Sequence, residues 1–132
     1  MLDADNFLPY NQTLGYAAGD ALLKEIAALL KDKVRPSDIV CRYGGDEFAL
    51  LLKNTRKEDA ARMCERIREA FQLRFGIHQI QVTASIGLAC FPTDADSKED
   101  LMRAADDALY VTKRGGRNRV SVSPDLQNRR RG

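Results

Sequence analysis

The chain of 132 residues is 44% hydrophobic and 30% charged, with Lys+Arg 21 against Asp+Glu 19. That is enough apolar material for one domain with a real core, and it excludes collagen-like, low-complexity and wholly disordered chains. No apolar run reaches the ~18–20 residues of a membrane-spanning helix, and a net charge of +2, outweighed by the local Arg129-Arg130-Arg131 run, gives no reason to expect nucleic acid as a partner. Met1-Leu2-Asp3 is no signal peptide. The three cysteines, Cys41, Cys64 and Cys90, are odd in number and lie in apolar stretches. They read as reduced core residues of a soluble, cytoplasmic chain.

Met1-Leu2 is a very short apolar start that runs into the acidic turn Asp3-Ala4-Asp5. Residues 6–19 read as loop, with Asn6, Pro9, Asn11, Gly15 and Gly19 as turn formers. Leu22, Ile26, Leu29, Leu30 and Val34 recur at helical spacing, so a helix is predicted from about Asp20, its N-cap, to Val34, ended by Arg35-Pro36. Residues 39–43 and 48–52 form two strands joined by Gly44-Gly45 as a hairpin. Thr55-Arg56-Lys57-Glu58 has capping-box spacing and opens a helix to about Phe71, with Ala60, Met63, Ile67 and Phe71 on one face.

Ile80, Val82, Ala84, Ile86, Leu88 and Cys90 alternate as in a half-buried strand. His78, in the stretch before it, reads as a solvated loop or strand-end residue, and Tyr10, Tyr43 and Tyr110 as packing residues. Ser97 precedes a helix to about Lys113 with Leu101, Ala105, Ala108 and Leu109 inward, stopped by Gly115-Gly116. Val120 and Val122 make a last short strand before a polar basic tail, 123–132, a disordered end or a linker. The fold class is α+β: helices on a central, mostly antiparallel sheet.

The segment Arg42-Tyr43-Gly44-Gly45-Asp46-Glu47-Phe48 carries the chemistry. Two glycines let a hairpin backbone approach a ligand, and two carboxylates follow where a cation can reach them. Read alone, it is equally a Gly-Gly hairpin with solvated acids. No Gly-x4-Gly-Lys-Ser/Thr run occurs, which excludes a P-loop.

This segment resembles the signature of the GGDEF family, the diguanylate cyclases, and ordered matches extend from Asp3 to Val120. Asp3-Ala4-Asp5-Asn6-Phe7 resembles the family's metal loop. Asn11, Gly15, Gly19 and Asp20 resemble its nucleotide segment, and Thr83-x-Ser85-Ile86-Gly87 its late core strand. Ala104 to Tyr110 with Lys113, Gly116, Arg117 and Asn118 resembles its closing helix and turn. The resemblance implies a nucleotidyl-cyclase or polymerase-palm-like fold over 1–122, and a reaction that joins two GTP molecules into cyclic di-GMP with release of two pyrophosphates. Two domains would face each other as a homodimer, with Mg2+ or Mn2+ as cofactor.

By the same resemblance, Asp3, the carbonyl of Ala4 and Asp46 hold the metal. Gly44, Gly45, Asp46 and Glu47 form the catalytic hairpin, with Asp46 helping to deprotonate the 3′-hydroxyl. Asn11 and Asp20 read guanine. Backbone N–H groups from Asn6 to Leu8, including Phe7, face phosphate together with Lys113 and Arg117, while Tyr16 and Arg42 complete the nucleotide site. Arg35-Pro36-Ser37-Asp38 resembles the family's Arg-x-x-Asp site for inhibition by the product, to which Arg66 contributes.

Leu8 stands where a Lys is common, Gln12 where an Asp is, and Tyr16 where a His is. Relatives also carry a longer first strand with a helix ahead of it. A strand of two residues is expected to leave its neighbours in the middle of a sheet unpaired, so the chain reads as a shortened or partial domain, with any sensor, phosphodiesterase or membrane segment of a parent lying outside it. The second reading of the function is a non-catalytic module that binds GTP or cyclic di-GMP and regulates an attached domain.

Overall fold

In the computed structural model, residues 1–77 and 79–131 are described; the expectation for His78 lies outside them. Five strands and five helices follow in the order β1 (Leu2–Ala4), α1 (Phe7–Leu14), α2 (Tyr16–Lys33), β2 (Ile39–Gly44), β3 (Glu47–Leu51), α3 (Lys57–Phe75), β4 (Ala84–Leu88), α4 (Lys98–Arg114), β5 (Arg119–Val122) and α5 (Leu126–Arg131). The strands form one sheet in the order β2-β3-β1-β4-β5, antiparallel throughout except for the parallel β4–β5 pair. The expected α+β class and antiparallel bias hold.

The centre of the sheet departs from expectation. β1 has three residues and still occupies the middle, with Leu2 opposite Phe48 on one side and Ile86 on the other. It is bonded along its whole length: the Met1 ammonium donates to Gly87 O at 2.8 Å, Gly87 N–H returns a bond to Met1 O, and Ala4 N–H donates to Asp46 O. Beyond Met1, β3 and β4 border an apolar cavity of about 600 Å3, lined among others by Leu50, Leu52, Cys64, Ile67 and Leu88.

Strand parity sorts the side chains. Leu2, Ala4, Phe48, Ala84 and Ile86 join the core with Leu22, Leu23, Ile26, Leu29 and Leu30 of α2 and Cys64, Ile67, Phe71 and Phe75 of α3. The helical residues recur every three to four positions, which gives each helix one buried stripe. Phe71 and Phe75 meet edge to face at 5.0 Å. The alternate residues Asp3, Glu47, Ser85 and Gly87 point to the opposite face, where α4 lies. There α4 approaches so closely that a Cβ on Gly87 would fall 2.2 Å from Leu109 N and 2.4 Å from Ala105 O. Ser97 caps α4 through Asp100 N–H.

Several local expectations are corrected. Residues 7–14 are helical because Pro9 falls in the first turn, where its missing N–H has no intrahelical acceptor to serve. Gly15, at φ 92°, separates α1 from α2, so Asp20 lies inside α2 and is not its N-cap. α3 runs on to Phe75 and begins after Arg56. Thr55 forms no capping box, because its hydroxyl donates to Lys53 O and accepts from Arg35. The predicted 80–90 strand is regular only over Ala84–Leu88.

The basic tail is a helix tied down by Arg129, which donates to Asp94 O and to Ser123 Oγ. Beneath it Lys57 bridges Asp94 and Asp125. Of the cysteines only Cys64 is core, its thiol pushed up to about 11 by burial; Cys41 is exposed and Cys90 half-buried. Tyr10 packs against the core, whereas Tyr43 and Tyr110 are exposed.

Candidate functional site

The register that puts Asp3 in the central strand places it opposite Glu47 on β3 and Ser85 on β4, on the face that carries α4. The same pairing brings Asp46, in the Gly-Gly turn, to the end of β1. Lys113, in the last turn of α4, reaches across to form an ion pair with Asp3 Oδ2. Asp3, Asp46, Glu47 and Lys113, remote in the chain, therefore form one electrostatic cluster.

The charges in it are not balanced. Burial and then the neighbouring Asp3 carboxylate raise the pKa of both Asp46 and Glu47 above the ordinary carboxylate range. Burial works to lower that of Lys113, but the hydrogen bond and charge of Asp3, with Glu47 and Asp46, carry it above the usual lysine value. Asp3 is 4% exposed, and its Oδ1 is buried with no hydrogen-bond partner. A buried carboxylate oxygen left unsatisfied costs free energy unless something else meets it.

That unpartnered acceptor, beside a second carboxylate raised in pKa by burial and then by Asp3, fits a divalent cation that takes hard oxygen ligands. Among the described residues no three His, Cys, Asp or Glu side chains gather into a metal cage. Fewer than three such ligands suits a cation that keeps its other positions for water or phosphate.

The hairpin turn has room above it. Gly45 sits at φ 27°, and a Cβ on either Gly44 or Gly45 would meet no protein atom within 4 Å. Packing within the chain does not demand glycine at position 44, and the bare backbone there leaves space for an outside group. Arg42 donates from Nε to Gly45 O at 2.9 Å, so that nitrogen braces the turn and is not free for a nucleotide.

Beyond Asp5 the chain enters α1 through Asn6, at φ 64°. No side chain caps this helix and no acid lies in its first turn. The N–H groups of Phe7 and Leu8 have no intrahelical acceptors, and a helix N-terminus of this kind favours anions. The Phe7 side chain is core, while that of Leu8 is exposed. Further along α1, Asn11 Oδ1 is buried without a partner. It lies so close to Gly19 that a Cβ there would fall 1.5 Å away, which places Asn11 against the turn of α2 that bears the exposed Asp20. Tyr16 is 83% exposed at the start of α2. Arg117 is exposed in the turn after α4, at φ 65°.

Arg35 and Asp38 are arranged differently. Asp38 accepts from Arg35 Nε and Nη2 at 3.1 Å each, and from the N–H groups of Arg35 and Lys53 at 3.0 Å each. The Arg35 hydrogen bond, ahead of the opposing effect of burial, holds its carboxyl below the usual range. Both Asp38 oxygens are thus occupied within the chain. Arg35 and Arg66 share an open cleft of about 610 Å3 with Arg62 and Met63.

Sequence alone gives Asp5 no role. It is buried and accepts from Thr83, Ser85 and Asn118. Its place in the metal-loop motif was the one available signal.

The family model described as diguanylate cyclase, GGDEF domain, matches residues 1–119. Diguanylate cyclase A of Treponema denticola is 40% identical over 126 residues, covering 93% of this chain and 34% of the relative. Among solved structures, the GGDEF domain of DgcB from Caulobacter crescentus in complex with c-di-GMP aligns with a TM-score of 0.82 and 34% identity, over 92% of this chain and 74% of that one. The active GGEEF domain of a diguanylate cyclase from Vibrio cholerae aligns with a TM-score of 0.86 and 31% identity, over 94% and 80% of the two chains. The chain spans about a third of the length of the curated relatives it matches.

Proposed function

We propose, from the premise that the chain belongs to the GGDEF family of diguanylate cyclases, that it condenses two GTP molecules into cyclic di-GMP and releases two pyrophosphates. One observation carries this reading: Asp46 lies within electrostatic reach of the Asp3–Lys113 pair, whose Asp3 Oδ1 is buried and unpartnered. An ion pair made only for stability would leave no such acceptor open.

Asp3 and Asp46, with the carbonyl of Ala4, would hold a magnesium or manganese ion. When bound, it supplies charge neutralisation at the triphosphate and a lowered pKa for the attacking 3′-hydroxyl. The protein's own groups do the rest. The N–H groups of Phe7 and Leu8 and the cations Lys113 and Arg117 orient phosphate oxygens. Asn11 Oδ1 accepts from the guanine amide edge, with Asp20 beside it. Asp46, its pKa raised by burial and Asp3, is placed to take the proton of the 3′-hydroxyl. Each domain holds one GTP, so catalysis needs two domains face to face.

Arg35 and Arg66 offer guanidinium groups to the product in their shared cleft, with Asp38 orienting Arg35 rather than touching the ligand. Arg35→Ala should then weaken binding of cyclic di-GMP, measured by titration, and undiminished affinity removes the inhibitory site.

The deciding experiment is incubation with GTP and magnesium followed by chromatographic separation of the products. Cyclic di-GMP and pyrophosphate should appear, at a rate that climbs faster than linearly with protein concentration. A second reading, a nucleotide-binding module without turnover that regulates an attached domain, draws on the exposed Leu8, which brings no charge to the phosphate side. It is favoured if GTP binds and is recovered unchanged.

A further inference from the structure

Asp5 is buried immediately after the metal loop, 4% exposed, yet no cation pairs with it among the described residues. Its carboxylate accepts three hydrogen bonds from neutral donors: Ser85 Oγ at 2.7 Å on Oδ1, and Thr83 Oγ1 at 2.8 Å and the Asn118 N–H at 3.1 Å on Oδ2. Its own N–H donates to Thr83 O. Both hydroxyls come from the β4 side, beside the continuation of β1. The third bond goes elsewhere, to the turn that follows α4.

That turn needs holding. Arg117 and Asn118 lie at φ 65° and 46°, two consecutive L-residues in the left-handed region, after Gly116 at φ 116°. Its backbone is folded back onto the end of α4, with Arg117 N–H donating to Thr112 O and Gly116 N–H to Lys113 O. Two contacts from outside fix Asn118: Asp5 on its N–H, and Arg68 of α3 on its side-chain Oδ1 at 3.1 Å. The same turn carries Arg117 and adjoins Lys113, the two cations assigned to phosphate above.

We propose that Asp5 is a positioning residue, which locks the α4–β5 turn to the metal loop and so fixes the phosphate-facing cations relative to the metal-binding carboxylates. Asp5 acts through Asn118 and touches neither nucleotide nor metal. The assignment rests on the nucleotide reading above and extends it. One oxygen must serve Asn118 N–H, a donor that cannot reverse, whereas the hydroxyls of Thr83 and Ser85 can rotate to donate or accept. An amide at position 5 can therefore keep its oxygen on Asn118 and give its NH2 to Ser85; an alanine cannot.

The test compares affinity for a GTP analogue with a methylene between the α and β phosphates, which cannot react, with affinity for GMP, both with magnesium present. Asp5→Ala should weaken the analogue about tenfold or more while leaving GMP within about twofold, because only the phosphate tail reaches the displaced cations. Asp5→Asn should restore most of the difference, and Thr83→Val should lower the melting temperature without changing the affinity ratio. If Asp5→Asn loses as much as Asp5→Ala, the negative charge itself is needed and the positioning role falls. It falls equally if wild-type protein binds the analogue and Asp5→Ala binds it as well. Wild-type protein that binds neither ligand sinks the nucleotide reading and this one with it. Should Asp5→Ala not fold, Asp5→Ser takes its place, since a seryl hydroxyl is too short to reach Asn118, and hydrogen exchange at the Asn118 amide reports whether the turn has been released.

Discussion

Two clusters in this molecule are made of the same materials and end in opposite states. At Arg35 and Asp38, one acid and one guanidinium meet, four donors fill both carboxylate oxygens, and the acid is held in its charged form. At Asp3, Asp46, Glu47 and Lys113, only Asp3 pairs with the ammonium, an oxygen stays unmet, and the other two acids are pushed toward protonation. The first has what it needs to hold the chain in place. The second is left short of positive charge by its own fold, which is how a site that expects a cation from outside should look.

Breaking the second cluster should show the largest effect. Asp46→Asn is expected to lower the rate of product formation by about 10²–10⁴, read by chromatography, while leaving the melting temperature equal to or above wild type because a crowded charge is gone. A large loss of stability instead would make the cluster structural.

Breaking the first should do the reverse. Asp38→Asn takes charged acceptors from two main-chain N–H groups and should reduce the free energy of unfolding by roughly 1–3 kcal/mol, measured from urea transitions. An unchanged midpoint would erase the contrast between the clusters.

Lys113→Met sharpens the comparison, because the ammonium stands where a metal would otherwise find an unopposed Asp3. In the absence of nucleotide, Mn2+ should bind the variant about tenfold more tightly, near 1.4 kcal/mol, as followed by the resonance signal of free Mn2+. Weaker binding would mean that Lys113 organises the carboxylates rather than competing for them.

The smallest effect is in the pH dependence, where the two clusters have opposite signs. A carboxylate raised in the folded state contributes stability below the ordinary carboxylate pKa, and this fades as pH rises through the raised value; Asp46 and Glu47 are of this kind. Asp38, lowered, contributes above the ordinary value and loses it as pH falls through its folded one. Asp46 is partly exposed, so screening holds its share to roughly a few tenths of a kcal/mol. Melting curves from the carboxylate range to neutrality should show wild type losing ground to Asp46→Asn as the pH rises; a constant gap would remove the assigned direction.

Much of this was legible before any coordinates. Period-2 alternation found the core face of β4, and spacing gave the stripes of α2 and α3. On α4 only Ala108 and Leu109 of the expected residues are buried, with Ala104 and Thr112 instead of Leu101 and Ala105. The adjacency of Asp3 and Asp46 was implied by the resemblance to the GGDEF family. What escaped depends on contacts that local pattern does not encode. α1 was hidden because Pro9, Asn11 and Gly15 read as turn formers, although a proline in a first turn costs the helix no bond. The tail looked unstructured until Arg129, Lys57 and Asp94 tied it down. Asp38 looked like a ligand, and only the positions of Arg35 and Lys53 reveal that its oxygens are taken. Asp5 gave no hint of its reach, since Asn118 comes to it only once β1 lies beside β4.

The bare backbone at Gly87 makes the cluster sensitive to a residue that never touches it. With no side chain between strand and helix, α4 rests on β4 main chain to main chain, and no rotamer can absorb an error in their spacing. One added carbon there would lift the helix like a wedge under a lever, and the displacement would be felt at its far end, where Lys113 meets Asp3. The alignment of charges is thereby calibrated by a single missing methyl group.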